Sequence, residues 1–442
     1  MVTPANTPAK IIIAIHHFPP NFIGGSEWRA HRTALWLQAR GHTVKVVCIE
    51  SITDTQTDRL RWVDETFRSV WVRRLYLNLA NAPDPVRWEF ANPWIGEHFA
   101  QFLAEEQPDL LHLFSGYLMT SAVIGAAKNL DIPVVTTLTD FWFLCPRHTL
   151  LRTTGQVCAG NTPLDCVRCK FEEKRRYRIP AQKLPDLVNT TWQLAQYSPY
   201  VAEYVSKIEE RGEVLRKSLG DVDVAICPSK FLKNMYLTRG YSAKQMFFLR
   251  QGVRHISPVN PSEIPSGALR VGYIGQIARH KGVLVLLEAF KKLGNSYPAH
   301  LTLYGDVYQF PDFFKSLPAT DPEKIRFRAK FDQTEISEVF KNIDVLVVPS
   351  TWYENSPNVI LEAFAHQTPV IASNLGGMAE LVEHEKTGLL FTPGSSDELA
   401  DQLRFLCEQP QKLLEFKQNI VAPYLLEEEM NQLLQLYGSV LA

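Results

Sequence analysis

Apolar positions along this chain fall into short unbroken runs, separated by stretches with helical spacing. Ile11-Ile-Ile-Ala-Ile15 is the first run. Continuous apolar character over so few residues suits a parallel strand buried on both faces. A loop with Gly24-Gly25 follows, and residues 26–40 read as a helix with Trp28, Leu35 and Leu37 among its apolar positions. Gly41 suits the position just past that helix, where a left-handed backbone is common. Residues 44–49 read as the next strand. Strand, loop, helix, strand is the opening of a doubly wound α/β domain.

The alternation continues. Residues 110–114, 134–138 and 222–227 read as strands, with a helical stretch at 121–130. Residues 144–219 break the rhythm. They hold a cysteine cluster, the basic run Lys174-Arg-Arg-Tyr-Arg178 and a long helical pattern, and read as an insertion. The Pro/Ser/Gly-dense segment 257–267 marks a domain boundary. A second series of strands follows at 269–274, 301–304, 325–327, 345–348 and 370–372, with a helix at 283–293. A last helix, 425–441, follows Pro423 and is expected to cross back onto the first domain. The expected architecture is α/β: two Rossmann-like domains whose parallel sheets face a cleft. They are residues 1–262, with the insertion at about 144–219, and residues 266–422. Residues 423–442 form the returning helix.

Size and charge narrow the picture. A chain of 442 residues is too long for one core and suits two domains. A formal net charge of −1 gives no general attraction to nucleic acid, so none is expected as a partner. No run approaches the roughly 20 apolar residues that span a bilayer. The leader before Ile11 is polar and contains proline, unlike the basic flank of a signal peptide. The expected location is cytoplasmic, with membrane contact restricted to the periphery of the inner face.

The richest segment is 344–373. A buried strand ends at Pro349-Ser350, and a loop then carries Glu354. Ser356 is expected to cap a helix with Pro357 at its first position. The amides of Asn358 and Val359 would then be free to bind phosphate. Glu354 and Glu362, with seven residues between them, frame that helix start, and one carboxylate can accept hydrogen bonds from ribose hydroxyls. A second segment, 271–282, reads as a strand, a glycine turn and a basic loop. It offers Gln276, Arg279 and Lys281, and its cations could neutralise a departing diphosphate. Taken singly, each feature also fits an ordinary surface glutamate or a basic surface loop.

Together these segments resemble the family 4 retaining glycosyltransferases, which have the GT-B fold. The resemblance rests on Glu354-x7-Glu362, Leu361-Glu-Ala363, Thr368-Pro-Val-Ile-Ala-Ser373, Gly376-Gly377, Glu380-Leu-Val382 and Thr387-Gly-Leu-Leu-Phe391. It extends to the loop from Gly275 to Gly282, to Gly24-Gly25 and to Pro228-Ser229-Lys230-Phe231. It implies transfer of a hexose-type sugar, with retention, from a nucleotide diphosphate sugar. The acceptor would be a hydroxyl of a glycan, a lipid-linked molecule or a small molecule. Glu362 would bind the donor ribose, Glu354 would sit near the transferred sugar, and Lys281 would contact the diphosphate. The Gly24-Gly25 backbone would approach that diphosphate from the first domain. No catalytic metal is implied, because the leaving phosphate itself takes the acceptor proton. Two positions depart from the family: Gln276 stands where arginine is usual, and Thr139-Asp140 where His-Asp is usual. Those departures keep open the reading of a nucleotide-sugar-binding partner with little catalysis; the Glu-x7-Glu helix argues against the other alternative, a GT-B sugar-nucleotide epimerase or hydrolase.

On the acceptor side the candidates are His16, His17, His112, Asp140, Trp142 and Arg147. Cys48, Cys227 and Cys407 lie among apolar residues and read as core. Cys145, Cys158, Cys166 and Cys169 have the spacing C-x12-C-x7-C-x2-C. That spacing admits a structural zinc or an iron–sulfur cluster, two disulfides, or four free thiols. The basic run from Lys174 reads either as a solvated face or as a contact for anionic lipid headgroups.

Overall fold

The computed structural model describes residues 7–22, 24–160, 162–255 and 267–441. They form two compact units. The first comprises the residues up to Thr154, Cys158–Leu249 and those from Met430 onward; the second comprises Arg250–Glu429 and the short stretch Gly155–Val157. The expected linker 257–267 lies outside the described residues except for Gly267, as do the expected bounds at 262 and 266. The units divide between Leu249 and Arg250.

The first unit holds an eight-stranded sheet. Its strands are β1 (Lys10–Ile15), β2 (Thr43–Ser51), β3 (Leu60–Phe67), β4 (Val70–Leu77), β5 (Leu110–Phe114), β6 (Val134–Thr137), β7 (Val224–Cys227) and β8 (Gln245–Phe248). Their order is β3-β4-β2-β1-β5-β6-β7-β8. Only the β3–β4 pair is antiparallel. Strands β5, β6 and β7 are buried along their whole length and β1 is buried from Ile11 on, which is why their sequences read as unbroken apolar runs. β3 is an exposed edge, with its charged residues facing water. From β4, Arg74 is 1% exposed, and its guanidinium donates to Glu50 Oε2 (2.9 Å), Glu65 Oε1 (2.6 Å), the Phe18 carbonyl (3.1 Å) and the Pro19 carbonyl (2.6 Å). This arginine fastens the loop after β1 to the sheet. The chain leaves β1 toward β2 and later returns on the other side as β5, so the strand order switches between β1 and β5.

The insertion between β6 and β7 is helical: Pro163–Phe171, Arg175–Lys183, Pro185–Ala195 and Pro199–Gly220. The first helix starts with a reciprocal cap between Thr162 and Asp165. The last helix of the chain, Leu426–Leu441, begins in the second unit, and from Met430 it counts with the first. Its Tyr437 hydroxyl lies 2.6 Å from His112 Nδ1 on β5.

The second unit holds six parallel strands: β9 (Leu269–Ile274), β10 (Ala299–Tyr304), β11 (Ile325–Arg328), β12 (Val345–Val348), β13 (Val370–Ser373) and β14 (Gly388–Phe391). Their order is β11-β10-β9-β12-β13-β14, so the switch falls between β9 and β12. In open α/β sheets, ligands bind beyond the carboxyl ends of the strands at such a switch. Both units therefore have one edge where functional side chains belong.

Candidate active site

In the second unit, the loops after β9 and β12 lie against each other. Gly282 has φ +73, and a Cβ there would come within 1.8 Å of the Pro349 carbonyl oxygen. Only glycine meets both demands. The Thr351 amide donates to the His280 carbonyl at 2.9 Å. These contacts bring Lys281 Nζ to 2.7 Å from Glu354 Oε1. Ser350 Oγ and Trp352 Nε1 donate to the same oxygen, each at 2.8 Å. Burial pushes the Glu354 carboxyl up, but the Lys281 charge and the three donors outweigh it and hold the group below its ordinary range. The backbone of Glu354 is fixed too: its carbonyl accepts from the Gly377 amide at 2.8 Å, and a Cβ on Gly377 would come within 1.9 Å of the Asn355 oxygen. The His280 ring lies 4.7 Å from Trp352, edge to face, and burial together with Lys281 lowers its pKa to about 4.

The helix beside this seam runs Asn358–Ala365, with Pro357 as its N-cap residue, whose side chain makes no capping hydrogen bond. The expected Ser356 cap is therefore corrected. Pro357 has an extended ψ of 113, so the chain turns helical one residue later than the spacing predicts. Ser356 Oγ is buried without a hydrogen-bond partner, while its carbonyl accepts from Gln251 Nε2 at 2.7 Å. Asn358, Val359 and Glu362 are half-buried, and the Glu362 carbonyl accepts from the His366 amide at 3.2 Å. In the basic loop, the Gln276 carbonyl accepts from the Tyr273 hydroxyl at 2.6 Å. Arg279 is exposed, with its guanidinium 5.7 Å from the Phe313 ring, so Lys281 is the basic-loop residue bonded to Glu354.

In the first unit, His16, Ser115 and Tyr117 follow β1 and β5 at the strand-order switch. His16 Nε2 lies 3.3 Å from Glu27 Oε1, in the first turn of the helix Gly25–Gln38. Burial pushes the Glu27 carboxyl up, and the bond to His16 more than offsets this. A Cβ on Gly24 would come within 2.4 Å of Glu27 Oε2, so Gly24 leaves room for that carboxylate at the helix start. His17 stacks on Phe22 at 3.8 Å, with Nδ1 2.9 Å from the Ile49 carbonyl oxygen, and burial lowers its pKa. The Tyr117 ring lies 5.6 Å from His16 and 4.1 Å from His148. Asp140 accepts from Ser115 Oγ (2.5 Å) and from the Trp142 amide (2.8 Å). Ser115, Leu118 and Thr120 have φ of 61, 60 and 62. Three left-handed non-glycine residues in one short loop are costly, and such strain gathers at functional sites.

Three acceptor-side candidates are engaged within the protein itself. His112 is fully buried, with Nδ1 engaged by Tyr437 and Nε2 lying 2.8 Å from Thr137 Oγ1; it fastens the last helix to β5. Trp142 is buried, and its ring fills the space a Cβ on Gly116 would need, with Trp142 Cζ3 at 2.2 Å. Arg147 braces the insertion, donating to the Leu151 carbonyl (2.7 Å) and to Glu173 Oε1 (3.0 Å). Glu27, Tyr117, His148, Ser350 and Trp352 were not singled out from sequence. Glu27 carried one usable signal, since a carboxylate is favoured in a first helical turn. His148 reaches its place only through the fold of the insertion.

The four clustered cysteines converge. Burial and the nearby Cys145, Cys158 and Cys169 push the Cys166 thiol up to about 12. None of the seven cysteines is joined in a disulfide, so the two-disulfide reading is not realised. Among the described residues, no group of three or more His, Cys, Asp or Glu is arranged to hold a metal ion. The zinc expectation rests on the spacing alone. Nor, among the described residues, is any helix long and apolar enough to cross a membrane.

Known proteins share both units. Residues 259–421 match the family described as Glycosyl transferases group 1, and residues 24–160 match the Glycosyl transferase 4-like domain. Glycogen synthase of Mycobacterium tuberculosis is 24% identical over 91% of this chain and 86% of its own length. An uncharacterized glycosyltransferase of Methanocaldococcus jannaschii is 30% identical over 29% of this chain, which spans only 33% of that protein. Among solved structures, Anabaena HepE in complex with UDP superposes with a TM-score of 0.64 at 17% identity, covering 97% of this chain and all of that one. Two glycosyltransferase domains follow one another in chain order over two parallel-sheet units, and this chain is accordingly a glycosyltransferase enzyme of the GT-B fold.

Proposed function

We propose that the chain moves a hexose-type sugar from a nucleotide diphosphate sugar to a hydroxyl of a glycan, lipid-linked or small-molecule acceptor, with retention at the sugar's anomeric carbon. The Lys281–Glu354 pair at the β9/β12 switch, beside the helix start at Pro357, whose side chain makes no capping hydrogen bond, carries the reading. That start lends partial positive charge to a phosphate. The unpartnered Ser356 hydroxyl can add a hydrogen bond. Lys281 adds a full charge. As the sugar–phosphate bond breaks, negative charge grows on the leaving diphosphate, so Lys281 stabilises the transition state more than the bound donor. The acceptor hydroxyl forms its bond to the same face of the sugar and gives its proton to the departing phosphate oxygen. Glu362 accepts hydrogen bonds from the ribose. Structures of HepE are described with UDP and with UDP-glucose, which supports a donor of this class. On the acceptor side, Asp140, His16, His17, Tyr117 and His148 are the polar groups gathered beyond the strand ends.

A thermal-shift screen with UDP, GDP, ADP and their sugars tests the donor. At a ligand concentration of about 100 times the dissociation constant, the correct nucleotide adds about 2.7 kcal/mol of stability. A screen in which no nucleotide raises the midpoint removes the reading. The anomeric configuration of the first product, read by NMR, decides retention against inversion.

A further inference from the structure

The insertion carries a surface that the transfer reaction does not explain. The helix Pro185–Ala195 has no buried residue. Its half-buried side is Val188, Trp192 and Ala195, and Trp192 meets Phe171 at 5.5 Å, edge to face. Arg168 donates to Asn189 and ties the same helix down. Leu187 and Leu194 lie two turns apart on another stripe, and they are 63% and 69% exposed. Leu184 before the helix and Tyr197 just after it are 56% and 81% exposed. A packed core does not need four large apolar side chains in water within one short segment.

The preceding helix, Arg175–Lys183, buries only Ala181. This helix and its N-cap residue carry Lys174, Arg175, Arg176, Arg178 and Lys183. Among the described residues none of these five takes part in an ion pair, although the neighbouring Lys170 and Arg147 both do. Between Lys174 and Tyr200 the only acidic residue is Asp186, in a chain whose net charge is −1. The positive charge is therefore concentrated next to the exposed leucines.

We propose that these two helices dock on an anionic lipid bilayer, going beyond the sugar transfer itself. The lysine and arginine heads meet lipid phosphates while Leu184, Leu187, Leu194 and Tyr197 enter the headgroup–acyl boundary. Cations beside exposed apolar side chains are the combination that interfacial binding uses: charge draws the surface in and apolar burial retains it. A protein partner would have to supply both an acidic and an apolar face, whereas an anionic bilayer presents both everywhere.

The test is co-sedimentation of the full chain with vesicles. One set is phosphatidylcholine alone; the other has about one part phosphatidylglycerol to two of phosphatidylcholine. Binding is expected to the anionic vesicles only, and to weaken about tenfold or more at high salt. Arg175→Ala/Arg176→Ala and Leu187→Ala/Leu194→Ala should each lower it about tenfold or more, because each removes one of the two components. All these residues are exposed, so unchanged melting of both variants, with and without UDP, shows that the fold and nucleotide site are intact. Absent binding, or equal binding to both vesicle types, overturns the proposal. So does concentration-dependent self-association that Leu187→Glu abolishes while vesicles stay unbound, since the face would then belong to a second copy.

Discussion

Lys281 Nζ and Glu354 Oε1 are 2.7 Å apart, and the two residues arrive on loops that follow the adjacent strands β9 and β12. The pair bridges the point where strand order reverses. Any diphosphate bound there competes with Glu354 for the same ammonium.

Replacing Lys281 with alanine should therefore lower kcat by roughly a hundredfold or more, with a much smaller change in donor KM. Steady-state kinetics on the preferred donor checks this. A loss confined to KM would mean that Lys281 holds ground state and transition state equally.

Glu362→Ala should weaken binding of the free nucleotide. A hydrogen bond to a charged group contributes about 1.5–3 kcal/mol, or roughly tenfold to a hundredfold in affinity. Calorimetric titration with the nucleotide selected by the thermal screen reads the effect directly. Unchanged affinity would remove Glu362 from the ribose.

Arg74→Met should destabilise the first unit by about 3–5 kcal/mol, because it strands the Glu50 carboxylate and the Phe18 and Pro19 carbonyls without their donor. Glu65→Gln, at a partner whose side chain is 41% exposed, should cost about 1 kcal/mol or less. Urea unfolding of the two variants separates these outcomes.

Burial lowers the pKa of several histidines, three of them strongly: His112 to about 3, His98 to about 4 and His280 to about 4. Each stays neutral in the folded chain, while the unfolded chain takes up a proton near the ordinary value of 6.5. The unfolded state thus binds more protons below that value, so stability is full above it and falls as pH drops toward 4. From pH 7.5 to 5.5, each histidine should cost about 1.4 kcal/mol. Denaturant unfolding at the two pH values measures the total, and His112→Asn should flatten the average slope between them by about half a proton.

Much of this was legible in the sequence, for a physical reason. β1, β5, β12 and β13 are buried almost throughout, so their apolar runs announce them. The β3–β4 hairpin was missed because β3 mixes charge with apolar residues on an exposed edge. Lys281 and Glu354 could be named because each sits in a patterned loop beside a strand end. For His112 and Trp142 the converse holds: polar or aromatic character at a strand end does not reveal that His112 meets Tyr437 or that Trp142 fills the space above Gly116. Tyr117 and His148 meet only after the insertion has folded.

The path of the helix Leu426–Leu441 has a consequence for biosynthesis. β5 lies early in the chain, yet the hydroxyl that meets His112 belongs to Tyr437. On a ribosome, the first unit would wait with His112 uncovered while the whole of the second unit is made. The second unit can close first, although it is encoded later. A nascent chain stalled before Met430 should therefore protect the second sheet from protease while β5 is still cut, so that order of synthesis and order of completion run in opposite directions.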